Sequence, residues 1–425
     1  MEQGSTAVHT GIAQQAALEH VLKHHADADG WITLARKEGD KWIQHHYRAE
    51  EIGDALAEWL GEDIYFSQQT FYKPYRQVEN IRQLRSIYAD VDCHLIGYDV
   101  EWTVESIMSN LVDSGKLPEP NVVVHSGRGL YLIWWLAPAP AWAVPLWQAV
   151  EDYFVNQLKS WGGDCKATDA ARVLRVAGTV NSKSNTVVTV LPRHSHRYEL
   201  RDLQREYLPE LTPRKKGDRK PSRKVQIDRR LFNERTLYWS RLQDLMQLCE
   251  LRKWDMRGSR EFVCFLYRYW KCHFLADTER ALEETLEFNR QFIEPLSEKE
   301  VRVATRSAET AFKSQDKEYR YRNDTLIERL AITSDEQMQL STIISDTEKK
   351  RRHRQTEQKR RRSRGAIDRD TYLSEAAERH QQVLQMREQG YSYRAIGNKL
   401  GMSQTQVMRI VKNPEIRCNM SVRLY

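Results

Sequence analysis

At 425 residues, with 40% hydrophobic and 29% charged side chains, the chain is too long for one typical domain and long enough for two or three, each with its own core. Its longest apolar stretches, such as 130–136, are far too short to cross a bilayer, and residues 1–4 lack a basic region leading into an apolar core. A cytoplasmic chain with no membrane partner is expected. The formal net charge of +7 is unevenly placed: residues 349–364 hold ten Lys/Arg against one Glu, and residues 212–224 hold seven against one Asp. The remainder is net acidic, so attraction to polyanions is concentrated in two short segments.

In chain order, 11–25 has helical spacing, 31–35 and 42–47 read as strands, 49–60 as a helix and 63–67 as a strand. Residues 86–92 form a β-branched and aromatic strand, and 104–114 a helix. Residues 121–125 and 130–136 are a strand pair around Gly127-Arg128-Gly129, 142–161 is a long amphipathic helix, and 187–191 is another strand. The result is an α+β domain over 1–205. Pro213, Gly217 and Pro221 break any pattern in a basic linker, 206–228. A helical domain follows over 229–330, then a basic tract over 345–368 and a helical segment over 369–414. The six cysteines are scattered with no CxxC, so neither a zinc site nor a disulfide framework is expected.

Three segments carry candidate chemistry. Residues two apart on a strand share a face, so Asp90 and Asp92 present adjacent carboxylates, whose repulsion is relieved by hard divalent cations with oxygen ligands. The turn His125-Ser126-Gly127-Arg128-Gly129-Leu130-Tyr131 combines glycines, which let backbone amides approach an anion, with side-chain donors for phosphate at Ser126 and Arg128. A tight hairpin needs glycine as well. In the third segment, 169–181, Asp169 is a candidate to complete a metal site, while Arg172 and Arg175 are candidates to meet a triphosphate or a template backbone.

The trio YADVD (88–92), HSGRGLYLIW (125–134) and DAARVLRVAGTVN (169–181), in this order, resembles the three motifs of archaeo-eukaryotic primase-polymerases. The likeness is closest to those of plasmids and integrated elements of Gram-positive bacteria. GSREF (258–262), FNRQF (288–292) and PLSEKEV (295–301) are similar to the helical primase C-terminal domain that often follows such cores. The resemblance covers about 60–312 and implies an RRM-like catalytic core. In that core Asp90, Asp92 and Asp169 hold two Mg²⁺ or Mn²⁺ ions, and the serine-glycine turn binds the incoming nucleoside triphosphate. It implies template-directed nucleotidyl transfer by two metal ions on single-stranded DNA. One position departs from the pattern: Tyr131 stands where these proteins usually carry a histidine. A phenol donates a hydrogen bond but cannot become cationic, and His125 on the neighbouring strand is the candidate substitute.

Toward the C-terminus, 391–400 and 404–412 are two short helical patterns around Gly401-Met402-Ser403. With small Ala395 and apolar Ile396, Leu400, Val407 and Ile410, they make a helix-turn-helix pattern. Gln404, Thr405, Gln406 and Arg409 are the candidate contacts to double-stranded origin DNA. No GxxxxGK[ST] occurs, so a helicase is expected as a separate partner. The alternative to an enzyme is a non-catalytic replication initiator or DNA-binding regulator.

Overall fold

A computed structural model describes residues 2–39, 41–212, 223–314, 319, 321–363 and 369–412. Its elements in order are α1 (Glu2–His24), β1 (Trp31–Glu38), β2 (Lys41–Arg48), α2 (Ile52–Trp59), β3 (Ile64–Ser67), β4 (Thr70–Phe71), β5 (Ile81–Val91), α3 (Val100–Ile107), β6 (Val122–His125), β7 (Leu130–Pro140), α4 (Val144–Leu158), β8 (Val173–Arg175), β9 (Val180–Asn181), β10 (Thr186–Val187), β11 (Thr189–Pro192) and α5 (Leu200–Tyr207). Helices alone follow: α6 (Arg223–Leu251), α7 (Arg260–Leu275), α8 (Thr278–Asn289), α9 (Glu298–Lys313), α10 (Asn323–Arg329), α11 (Ser334–Gln339), α12 (Asp346–Ser363), α13 (Arg369–Glu388), α14 (Tyr393–Leu400) and α15 (Gln404–Lys412). The mixed α+β character expected of the first half is what the chain adopts. The core of the basic linker, 213–222, lies outside the described residues.

Nine strands form one antiparallel sheet in the order β11-β6-β7-β5-β4-β1-β3-β8, with β2 paired to β1. The long central pair β5 and β7 sets the frame, Asp90 lying opposite Tyr131 and Val91 opposite Leu130. Their register shifts between Leu84 and Ser86, and the carbonyl freed there is used by α4 and the β3–β4 turn. Ser86 O accepts from Trp147 Nε1 at 2.7 Å and from Gln69 Nε2 at 2.9 Å. Trp147 is fully buried, worth about 1.5–3 kcal/mol for a large apolar side chain, and its one polar atom is satisfied as burial requires.

The sequence reading set 1–205 apart from 229–330. The structure gathers Met1–Ile343 into one compact unit and places Ile344 onward in a second. The reason is a continuous apolar core: Trp239 of α6 and Phe274 of α7, stacked 5.2 Å apart, belong to the same buried cluster as the β5–β7 strands and α4. An ion cluster adds to it, the fully buried Lys271 of α7 meeting both the fully buried Glu79 before β5 and the partly exposed Glu284 of α8.

In the second unit α13, α14 and α15 close over Val383, Ile396, Val407 and Ile410. Gly397 packs so tightly that a β-carbon there would lie 2.5 Å from the carbonyl oxygen of Met402, and Gly401 takes φ +66° to reverse the chain between α14 and α15. Both positions require glycine for different reasons, one steric and one conformational.

Candidate active site and nucleic-acid interface

A cavity of about 700 Å³ opens where the end of β5, the β6–β7 turn, β8 and α8 meet. Asp90 and Asp92 both line it, although the strand ends at Val91 and Asp92 already opens the next turn. The backbone holds this corner from the other side: Asp164 N donates to Asp90 O at 2.8 Å, and Asp92 N donates to Gly162 O at 2.9 Å. Burial, followed by the charge of Asp92, pushes the Asp90 carboxyl up to about 7. A desolvated carboxyl beside a like charge favours its neutral form.

From the glycine-rich turn, Ser126, Arg128, Gly129 and Tyr131 line the cavity, whereas His125 and Gly127 stand outside the lining. Gly127, at φ +117°, makes room for the β9–β10 hairpin: a β-carbon would fall 2.7 Å from Asn181 Nδ2 and from Thr186 Oγ1. Asn181 in turn donates to Ser126 O at 2.6 Å. This glycine therefore serves the packing of the turn rather than the approach of a ligand. Tyr131 is buried, and its hydroxyl pairs with Arg175; burial first, then Asp90, pushes its pKa up.

The third segment reaches the cavity because 173–175 forms an edge strand against β3, Arg175 lying opposite Tyr65. The sequence reading assigned no strand here, and three residues give no period to detect. Arg175 is held at 2.7 Å by Asp63 Oδ1 and at 3.1 Å by Asn181 Oδ1, and it lies 4.7 Å above the Tyr65 ring. Asp169 is buried and pinned: Arg172 Nε lies 3.0 Å from Oδ2, and an Arg280 nitrogen from α8 lies 2.8 Å from Oδ1. Burial by itself would raise this carboxyl, but Arg280, Arg172 and Arg76 outweigh it and hold Asp169 down to about 2.

Asp90 and Asp92 both line the cavity, while both oxygens of Asp169 already have arginine partners. Among the described residues no group of three or more His, Cys, Asp or Glu side chains is gathered so as to hold a metal ion. Sequence reasoning missed Arg280, Arg76, Tyr65 and Asp63, all of which line the cavity. Their partners are distant in the chain, so no local spacing marks them.

On α15 the side chains of Gln404, Thr405, Gln406 and Arg409 are exposed, while Val407 and Ile410 point into the three-helix core. Gln406 is already engaged: its Oε1 accepts from Ser403 N at 2.9 Å and from Ser403 Oγ at 3.0 Å. Gln406 N donates to Ser403 Oγ at 3.3 Å. This is a capping box at the start of α15, and the Ser-x-x-Gln spacing is its sequence signature. On α12 the side chains of 353–356 and 358–363 are exposed, among them Arg354, Lys359, Arg360, Arg361 and Arg362.

The fold and the site define an α+β protein in which an antiparallel sheet and a helical layer share a cleft of opposed carboxylates and arginines. Over 323 residues, 76% of this chain and 77% of the relative, the sequence is 44% identical to a replication protein of Clostridium perfringens. The chain belongs to the family of that replication protein. No family model matches the sequence. Similar solved structures include the primase-polymerase domain of cyanophage S-2L, 16% identical over 45% of this chain and 97% of that one, with a TM-score of 0.35. The catalytic domain of the primase RepB' in complex with initiator DNA is 15% identical over 47% and 95%, at 0.34, and the primase RepB' is 14% identical over 70% and 99%, at 0.32. No described helix is long and apolar enough to cross a membrane.

Proposed function

We propose that this chain is a DNA primase-polymerase, a nucleotidyltransferase that makes or extends primers on single-stranded DNA in the replication of a plasmid or other mobile element. The observation that carries this reading is the convergence of the three segments 88–92, 125–134 and 169–181, remote from one another in sequence, on one cavity. Membership in a family with a replication protein supports it. The catalytic segment is 1–205 with an RRM-like core, completed by the helices of 229–330.

Asp90 and Asp92 are the residues that would hold Mg²⁺ or Mn²⁺. When bound, such ions lower the pKa of an attacking 3′-hydroxyl and stabilise a pyrophosphate leaving group. The protein's own part is positioning and charge. Ser126 and Arg128 stand at the mouth of the turn as donors to phosphate, and Arg172 supplies a cation on the opposite wall. Tyr131 cannot replace an imidazolium, but its hydroxyl buttresses Arg175, so that a permanent guanidinium occupies the neighbourhood where relatives of this kind use histidine.

The second unit supplies placement on duplex DNA. The helix α15, with Gln404, Thr405 and Arg409 outward, is the base reader of a helix-turn-helix, and the basic residues of α12 give salt-sensitive affinity for phosphates. Strand separation is left to a separate helicase, and the protein acts in the cytoplasm. The test is incorporation of labelled nucleotides on a primed and an unprimed single-stranded template with Mg²⁺ and Mn²⁺ compared. Loss of at least about a thousandfold is expected in Asp92→Ala, the scale of removing a principal electrostatic element from a site. Wild-type incorporation by that variant overturns the reading. A non-catalytic initiator is the second reading, and the pinned state of Asp169 favours it; absence of incorporation by the full chain together with selective origin binding would establish it.

A further inference from the structure

The wall that α8 turns toward the cavity is acidic. Asp277, Glu279, Glu283, Glu284 and Glu287 line it, and among the described residues Arg280 is the cation that this helix sends in. Asp277 caps α8 by accepting from Glu279 N and Arg280 N, which fixes where Arg280 leaves the first turn. Arg280 then bridges two carboxylates, Asp169 Oδ1 at 2.8 Å and Glu284 Oε1 at 3.3 Å. Glu284 continues to Lys271, and Lys271 to Glu79, both fully buried as side chains. An alternating chain of charge, Asp169, Arg280, Glu284, Lys271 and Glu79, thus runs from the cleft into the seam between the helices and the sheet. Arg280 is held in place by a buried scaffold and does not rest on Asp169 by chance of rotamer.

We propose that Arg280 is a positioning residue that competes with a divalent cation for the carboxylate of Asp169, so that α8 sets whether the third carboxylate of the cleft is available. The proposal rests on reading the cleft as a nucleotidyltransferase site and deepens it. With Arg172 on one oxygen and Arg280 on the other, a cation gains Asp169 only by displacing an arginine. A polyphosphate entering the cleft offers both arginines a partner of higher charge than one carboxylate. The arrangement keeps a desolvated carboxylate neutralised while the cleft is empty, and an unpaired buried charge there would be costly.

The experiment is calorimetric titration of Mn²⁺ into the full chain without nucleotide, for wild type, Arg280→Ala, Arg280→Lys and Asp169→Asn, with melting temperatures as a fold control. Arg280→Ala is expected to bind Mn²⁺ about tenfold more tightly, the scale on which a neighbouring like charge disfavours a cation. Arg280→Lys, which keeps the charge but loses the planar two-donor geometry, should fall between. In an Asp169→Asn background the Arg280→Ala change should give no gain. If Arg280→Ala melts early, Arg280→Gln, which removes the charge but keeps a polar side chain, is read in its place. Unchanged or weaker Mn²⁺ binding in a folded Arg280 variant, or an equal gain without Asp169, overturns the proposal while leaving the cleft's assignment intact, provided Asp92→Asn weakens binding. Mn²⁺ binding indifferent to Asp90 and Asp92 overturns the assignment and the proposal together.

Discussion

The cleft of the first unit and the three-helix segment of the second are built by opposite means. The cleft depends on charges brought together from four remote stretches, with Asp169 and Arg280, and Glu79 and Lys271, meeting only after the chain has folded. The segment α13–α15 depends on near neighbours: a serine cap at Ser392, a tight glycine at Gly397, a left-handed Gly401 and the Ser403–Gln406 box. A site made by long-range electrostatics is sensitive to any change in its scaffold. A helical unit made by local rules should tolerate changes elsewhere and fail only at its own few positions.

The sharpest break of this contrast is predicted at Lys271. Lys271→Ala leaves Glu79 buried without its cation, and removal of one partner of a buried pair costs about 3–5 kcal/mol. Chemical denaturation should show the first unit losing stability on this scale, while the α13–α15 unit keeps its own transition; a loss below about 1 kcal/mol would show that water reaches the pair.

A change of opposite sign is expected at Asp90. An unfolded aspartate releases its proton near pH 4, whereas folded Asp90 keeps it until about 7. Its contribution to stability is therefore fully present below about pH 4 and lost as pH rises through about 7. In cation-free buffer Asp90→Asn should match wild type near pH 4 and exceed it by roughly 1–3 kcal/mol at pH 8, the gain from relieving a desolvated like-charge pair. An Asn variant less stable than wild type at pH 8 would mean that Asp90 has a stabilising partner in the cleft.

Within the second unit, Gly397→Val should cost about 1–3 kcal/mol, because its side chain meets the Met402 carbonyl and the turn must shift. Origin-duplex binding measured by fluorescence anisotropy should fall with it, and nucleotide incorporation on single-stranded DNA should not. The smallest effect is predicted for Gln406→Ala. Loss of the capping-box partner costs about 0.5–2 kcal/mol of helix stability, and base preference should persist because Gln404, Thr405 and Arg409 remain. If Gln406→Ala abolishes preference while the melting temperature is unchanged, the side chain leaves Ser403 to read a base.

Much of the sheet was legible because its strands alternate or carry β-branched runs: the strands read at 31–35, 42–47, 63–67, 86–92, 121–125 and 130–136 each correspond to a strand of the fold. The period of two expected for Asp90 and Asp92 ends one residue early, because the strand stops at Val91 and Asp92 reaches the cavity from the turn that follows. The strand at 173–175 was not legible, because its only support is β3 on the far side of the sheet. Nor was the separation at 205–229 a boundary between compact units, because the sequence shows a break in pattern but not which apolar faces find each other across it.

What the sequence by itself determined is therefore local and periodic: the strands and helices, and the small helical unit with its caps and glycines. What only the tertiary structure decided is pairing at a distance: that Arg280 and Arg172 share Asp169, that Arg175 is shared among Asp63, Asn181 and Tyr131, and that α8 completes the cavity. The physical reason is range. Periodicity and capping act within one or two turns of the chain, whereas ion pairs in a desolvated cleft depend on geometry that the whole core must fix first.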